Sequence, residues 1–298
     1  MHTTTRRTDL YARVTARILA DLEQGVRPWL QPWQAAPTAG RVTRPLRHNG
    51  TPYQGVNILI LWGEATAKGY TSPIWMTFTQ AMARGAHVRK GAHGTLVVYA
   101  DTFTTTETTD EGEAVERRIA FLKSYTVFNV EQIADLPALY QTTPAPPSDP
   151  LPLIDRAERF FAATGAVVRH GGDRAYDSPT LDVIQLPPPE AFRDAERYTA
   201  TKSHECCHWT KHETRLNRDF GGTRFGDTGY AREELVAELG AAFLCADLGM
   251  TPEPRADHAA YLASWLRVLR ADTRAIFTAA AHAQRAVDYL HRLQEGRA

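Results

Sequence analysis

The sequence predicts an α+β protein of two domains. Three observations lead there. Helix-period apolar segments and short β-branched runs both occur along the 298 residues. A stretch with six prolines, "LPALYQTTPAPPSDPLP" at 136–152, can continue neither a helix nor a central strand. Charge is also unevenly spread: the first 100 residues hold 12 Lys and Arg against 4 Asp and Glu, leaving 22 basic and 30 acidic residues beyond them. The expected division is a basic module at 1–135, a linker at 136–152 and a more acidic domain at 153–298.

The elements follow in order. Asp9–Glu23 reads as a helix, with Asp9 as cap and Leu10, Val14, Ile18 and Leu22 recurring every four residues. A Pro/Trp segment, Arg27–Trp33, leads to an Arg-studded loop. Val56–Trp62 is an apolar element and Thr77–Ala83 a short capped helix. A turn at Lys90–Gly94 opens a β-branched strand, an acidic Thr-rich loop spans Thr104–Glu116, and Ile119–Phe128 is the return strand. After the linker, Leu153–Thr164 reads as a helix and "AYDSPTLDVIQLP" as strands joined by a turn. Glu190–Ala200 leads into a histidine-bearing helix, Glu233–Leu248 is another helix, and Tyr261–Leu293 is one or two more.

Composition excludes several classes. A hydrophobic content of 43% with 23% charged residues is that of a globular chain able to bury a core. Apolar runs such as Val56–Trp62 and Gly240–Ala246 are far too short to span a membrane. The opening "MHTTTRRTDLYARV" lacks the apolar core of a secretory signal. Cys206, Cys207 and Cys245 make no disulfide framework, so a reducing, cytoplasmic compartment is expected. No feature calls for an obligate oligomer.

The most informative stretch is "TATKSHECCHWTKHETRL", 199–216. On a helix, His204 and His208 lie one turn apart on one face, so both imidazoles can reach one ion. Glu205 follows the first of them. This HExxH spacing is that of zinc hydrolases, in which the glutamate serves as general base. Ser203 or Thr201 is expected to cap the helix. On a continuous helix His212 would lie about 12 Å along the axis from His204, too far to share an ion. Cys206 and Cys207 read as small buried apolar residues. The third ligand is expected from "YAREELVAELGAAFLCADLG", where Glu234 and Glu238 share a face. Glu234 fits the ligand and Glu238 the carboxylate that orients a ligating imidazole, with the opposite assignment as the alternative. Glu233 lies off that face and is expected to be solvated. Zinc is the default ion, and nitrogen and oxygen donors also accept Mn²⁺, Co²⁺ or Ni²⁺.

In the basic module, aromatic residues are interleaved with arginines, the pattern of a single-stranded nucleic-acid groove. Trp62, Trp75 and Phe78 read as core. Trp29 and Trp33 in the Pro-rich loop and Tyr53 in a Gly-rich one are candidate stacking platforms. Arg44, Arg47, Arg89 and Lys90 are candidate phosphate contacts, the last two on the basic turn "VRKGAHG".

Two blocks carry a resemblance to a known family. "YTATKSHECCHWTKHETRLNRDFGGTRFGDTGYAREELVAELGAAFL" resembles the C-terminal metallopeptidase-like domain of the ArdC antirestriction proteins. "PYQGVNILILWGEATAKGYTSPIWMTFTQAMARGAHVRKGAHGTLVVY" resembles their N-terminal single-stranded-DNA-binding domain. The likeness spans 8–130 and 155–250. It implies a zincin-like C-terminal domain and a bacterial protein of conjugative plasmids, phages or related elements. Such a protein binds single-stranded DNA and protects incoming DNA from host restriction. By position, His204, His208 and one of Glu234 and Glu238 would hold the metal, with Glu205 as base and a restriction-related host protein as a possible substrate. The chain departs from the family pattern in its "ECCH", which opens the way to oxidation, and in Lys211, where glycine is expected. The competing readings are a DNA-binding protein whose metal site is structural and silent, and a toxin-like zinc peptidase.

Overall fold

The fold is taken from a computed structural model, which describes residues 2–29, 43–108, 114–140, 151–221, 227–250 and 258–295. Helix α1 (His2–Glu23) begins seven residues before the expected start, and its stripe Val14, Ile18 and Leu22 is buried. Strand β1 (Leu46–Arg47) precedes α2 (Val56–Lys68), in which Val56 and the continuous apolar run Ile58–Trp62 are buried. Strand β2 (Ile74–Thr77) runs directly into α3 (Phe78–Met82). Thr77 caps α3 through a reciprocal pair with Gln80, the capping box its sequence signals. Strand β3 (His87–Val88) leads to the long hairpin of β4 (Thr95–Thr108) and β5 (Ala114–Asn129), and β6 (Ile133–Ala134) returns to pair with β3. The main sheet has the order β1-β2-β5-β4, antiparallel except for the β1–β2 pair.

Helix α4 (Leu151–Thr164) opens the second half. A three-stranded sheet of order β7-β9-β8 follows, from β7 (Val167–His170), β8 (Tyr176–Ser178) and β9 (Val183–Leu186). Strand β7 has no counterpart among the expected elements: it is four residues long and mostly exposed, so its sequence carries little apolar alternation. Four helices complete the chain: α5 (Ala195–Trp209), α6 (Thr228–Leu248), α7 (His258–Ala271) and α8 (Ala275–Glu295). Helix α5 is capped by Asp194, which accepts from the Arg197 amide at 2.8 Å. Thr201 and Ser203, the expected caps, lie inside it. The Ser203 hydroxyl donates to the Thr199 carbonyl at 2.8 Å, one turn back.

The two halves share one core. Ile18, Trp29, Leu59, Trp62 and Trp75 belong to the same apolar cluster as Leu235, Phe243, Trp265 and Ile276. Polar ties cross the same seam. Arg44 pairs with Asp247 at 2.5 Å and donates to Gln284 at 2.9 Å, and the Thr15 hydroxyl donates to the Thr273 carbonyl at 2.6 Å. Phe78, expected in the core, is exposed, because α3 is a single short turn that turns Ala81 inward. No helix among the described residues is long and apolar enough to cross a membrane.

Candidate metal centre

Helices α5 and α6 pack so closely that a side chain at Gly240 would put its Cβ 2.6 Å from the Cys207 sulfur. Glycine at this position lets the two helices bring their polar groups together in an otherwise apolar interface. On α5, His204 and His208 turn their Nε2 atoms toward each other at 3.1 Å. From α6, the Glu234 carboxylate reaches both, its Oε2 3.5 Å from His204 Nε2 and its Oε1 3.5 Å from His208 Nε2. The three residues are buried, and their donor atoms lie within 4.8 Å of one another. Ligands about 2.0–2.1 Å from a tetrahedral ion stand about 3.3–3.4 Å apart, so these separations fit a shared divalent ion with one position left for a further ligand. Two neutral nitrogens and one carboxylate oxygen are also the right donor chemistry.

The surrounding charges hold this arrangement. Glu233, expected in solvent, faces inward: it lies 3.0 Å from His208 Nδ1 and is gripped by Arg218 at 2.7 and 2.8 Å. The reason is that α6 is buried on nearly all sides, so a residue off the Glu234 face still meets protein. Arg218 also donates to the Cys207 carbonyl at 2.9 Å and to the Thr210 hydroxyl at 3.2 Å, tying the loop after α5 to both helices. Burial works against the ionised form of Glu233, but Arg218 and His208 outweigh it and lower its pKa to about 2. Burial likewise disfavours protonated His208, but Glu234 and Glu233 override it and raise the pKa to about 9. Glu234 itself is held well below the usual carboxylate range by the two histidines, against the effect of its burial. Glu238 stands on the other side. Its Oε2 is 3.8 Å from His204 Nδ1, and its Oε1 accepts from the Trp29 indole at 3.2 Å. Each histidine thus has a carboxylate behind it, Glu233 for His208 and Glu238 for His204.

The centre opens onto a cleft of about 1330 Å³. Glu205, buried, lines it beside the histidines. Across the cleft, Asp177 of β8 pairs with Lys211 at 3.1 Å; burial raises the Asp177 pKa and Lys211 tempers the rise. Tyr230, four residues before Glu234 on the same stripe of α6, also lines the cleft. Its hydroxyl lies 3.2 Å from that of Tyr261 and is kept protonated by burial, by that bond and by the Glu234 carboxylate. His212 lies beyond the end of α5 and bonds the Thr214 hydroxyl at 2.9 Å. Cys206 and Cys207 are fully buried, with burial pushing the Cys206 thiol up to about 12 and Cys207 well above its ordinary value. Their thiolates are suppressed, which guards the "ECCH" segment from oxidation. Sequence reasoning missed Glu233, Arg218, Asp177 and Tyr230. Tyr230 carried a signal in its spacing of four from Glu234, and Glu233 one in the apolar circumference of its helix.

In the N-terminal half the candidate contacts divide. Arg47, Arg89 and Lys90 are exposed. Trp29 and Arg44 are corrected: both are buried in the seam, bonded to Glu238 and to Asp247 respectively, and present no surface to a ligand. Tyr53 is also buried, with the Arg47 guanidinium 5.6 Å from its ring centre. Trp33 lies outside the described residues. Two aromatic residues that sequence reasoning passed over are exposed instead: Tyr99 (45%) and Tyr125 (48%), on neighbouring strands with rings 6.4 Å apart.

Known proteins match this arrangement. Residues 155–282 fit the family model of zincin-like metallopeptidases, and residues 8–128 that of the N-terminal domain of the anti-restriction factor ArdC. The chain is 43% identical over 292 residues to the uncharacterized protein y4eC of Sinorhizobium fredii (strain NBRC 101917 / NGR234), covering 96% of this chain and 93% of that one. It is 38% identical over 301 residues to the DNA primase TraC of Escherichia coli, covering 94% of this chain but 27% of that much longer protein. The metal-free crystal structure of the antirestriction ArdC protein from plasmid R388 superposes with a TM-score of 0.79 at 44% identity, covering 97% of this chain and 98% of that one. The Mn(II)-bound structure of the same protein gives 0.77 at 42% identity, over 97% and 100%. The fold, the metal-binding cluster and these likenesses agree, and the chain belongs to the ArdC family of antirestriction proteins.

Proposed function

We propose that this protein binds single-stranded DNA through residues 1–135 and carries a zinc-type hydrolytic centre in residues 153–298, and that together they protect incoming DNA of mobile elements from host restriction. The observation that carries the reading is the convergence of His204, His208 and Glu234 on one point of a cleft that also contains Glu205. The three would hold the ion. Zinc is the first choice, and the Mn(II)-bound relative supports a site that accepts other divalent ions. When bound, the ion supplies Lewis acidity, polarising a substrate carbonyl and acidifying water. Glu205 takes the proton of the attacking water and returns it to the leaving amine. Glu233 accepts from Nδ1–H of His208 and so turns the Nε2 lone pair into the site. The Tyr230 hydroxyl is a donor available to a developing oxyanion. The cleft is large enough for a segment of polypeptide, and the substrate is a protein associated with restriction.

For DNA, the supported contacts are Arg47, Arg89 and Lys90, with Tyr99 and Tyr125 as stacking platforms on one side of the β4–β5 ribbon. The deciding experiment compares wild type with Glu205→Gln for metal content, single-stranded-DNA binding and protection of incoming DNA in a restricting host. A variant that keeps its metal and its DNA binding but fails to protect supports hydrolysis. Full protection by that variant would leave the metal structural and withdraw the peptidase assignment.

A further inference from the structure

A second groove, of about 420 Å³, lies on the seam between the two halves. Val98 and Ala100 of β4 and Leu122 of β5 form one wall, α8 the other, and Tyr11 of α1 closes an end. The groove has no carboxylate among its lining residues, but it has two arginines, Arg274 and Arg285. Both are exposed and neither is paired with an acid among the described residues. The Arg274 guanidinium lies over the Tyr11 ring, 5.1 Å from its centre, and Arg285 donates only weakly, at 3.4 Å, to the Ala281 carbonyl of its own helix. Neighbouring arginines behave differently: Arg232 pairs with Asp272 and Arg270 with Glu23. Two unpaired cations around a carboxylate-free groove are unusual for the part of the chain that carries the acidic excess. They mark a site for an anion.

The walls narrow the class of anion. Tyr11 and Phe277 meet edge to face with centroids 4.6 Å apart, beside the arginines. Asn57 fixes the neighbouring wall by bonding both the amide and the carbonyl of Val98, at 2.8 and 2.7 Å. A site of a few hundred cubic ångströms with rings and two guanidinium groups suits one nucleotide, phosphate and base together. Only an unstacked base can reach rings set in such a groove.

We propose that the seam groove is a second contact for single-stranded DNA, taking one nucleotide with its phosphate on Arg274 and Arg285 and its base against Tyr11 and Phe277. This rests on the DNA-binding reading above and places part of the DNA path on the C-terminal half. Arg285 is three residues from His282, whose ring packs on Phe220 at the rim of the metal cleft, with centroids 5.0 Å apart.

The test uses the full chain and a fluorescein-labelled oligothymidylate of about 30 nucleotides, followed by anisotropy across a salt series. The variants are Arg274→Gln/Arg285→Gln, at exposed positions, and Phe277→Ala, with thermal melting as the fold control. The double variant is expected to bind about tenfold more weakly at low salt, with a log–log salt slope shallower by about 1.4. Phe277→Ala is expected to lose about fivefold or more with the wild-type slope. If wild type binds and the folded arginine variant matches its affinity and slope, the groove is overturned and the DNA reading stands. If wild type does not bind the oligonucleotide, the DNA reading itself fails and the groove fails with it. If thymidine monophosphate binds wild type while oligonucleotide affinity is independent of the two arginines, the groove belongs to free nucleotides and the proposal is wrong.

Discussion

Replacing Glu233 by glutamine tests whether the metal centre depends on a residue that touches no ion. In the native protein this carboxylate accepts from two Arg218 nitrogens, at 2.7 and 2.8 Å, and faces His208 Nδ1 at 3.0 Å. A neutral amide has one acceptor oxygen for these partners and no charge. Two effects follow with different readouts. The imidazole loses the group that fixes its tautomer, a change that typically costs 10–100-fold in metal affinity, or about 1.4–2.7 kcal/mol. Arg218, whose side chain is 1% exposed, loses its counter-ion, and breaking a buried pair costs about 3–5 kcal/mol of folding stability. At about 2–4 °C per kcal/mol, the metal-free melting temperature should fall by roughly 6 °C or more. Calorimetric titration with Zn²⁺ or Mn²⁺ measures the first effect and scanning calorimetry of the metal-free chain the second. Glu213→Gln, at an exposed position on the loop after α5, is the control. If Glu233→Gln binds metal within twofold of wild type and melts within about 1 °C of it, the roles given to Glu233 and Arg218 are wrong.

Two further substitutions probe the packing. Gly240→Ala should destabilise by about 1–3 kcal/mol in urea titrations, despite alanine's better helix propensity, because its Cβ would fall 2.6 Å from the Cys207 sulfur. The loss should shrink in a Cys207→Ala background, whereas additive effects of the two changes would show that this contact does not set the helix spacing. Trp29→Phe removes the indole donor to Glu238 and should cost about 1–3 kcal/mol of stability while leaving single-stranded-DNA affinity unchanged. A tenfold loss of DNA affinity in that folded variant would refute the buried placement of the ring.

The convergence of His204, His208 and Glu234 was legible because helical spacing is local. His204 and His208, four apart, and Glu234 and Glu238, four apart, each define one face whatever the rest of the chain does. Glu233 was misread for a reason also present in the sequence. "YAREELVAELGAAFLCADLG" is apolar around much of its circumference, the mark of a helix buried all round, so solvent was the wrong default for an off-face carboxylate. Trp29 and Arg44 failed differently. Proline-rich and Arg-rich loops read as surface, and nothing local tells that Glu238 and Asp247, more than 200 residues on, will meet them. Such pairings exist only in the assembled core.

That distinction changes what the charge asymmetry means. The basic excess of the first 100 residues looks like a footprint for a polyanion, but part of it is consumed inside the protein. Arg17 pairs with Glu64 and Arg44 with Asp247, while Arg84 bonds Tyr140 and His48. Arg27 is partly buried and feels the charge of Glu238. Glu238 in turn accepts from Trp29 and faces His204, so the N-terminal loop is wired to the carboxylate behind one of the two clustered histidines. Among the described residues of this segment, Arg13, Arg47, Lys68, Arg89 and Lys90 are exposed. Counterion release scales with the phosphates actually met, so a strand held by these five alone would show a log–log salt slope of at most about 3.5. A steeper slope would need cations beyond these five, and Arg274 and Arg285 of the seam groove are the ones the proposed second contact would add.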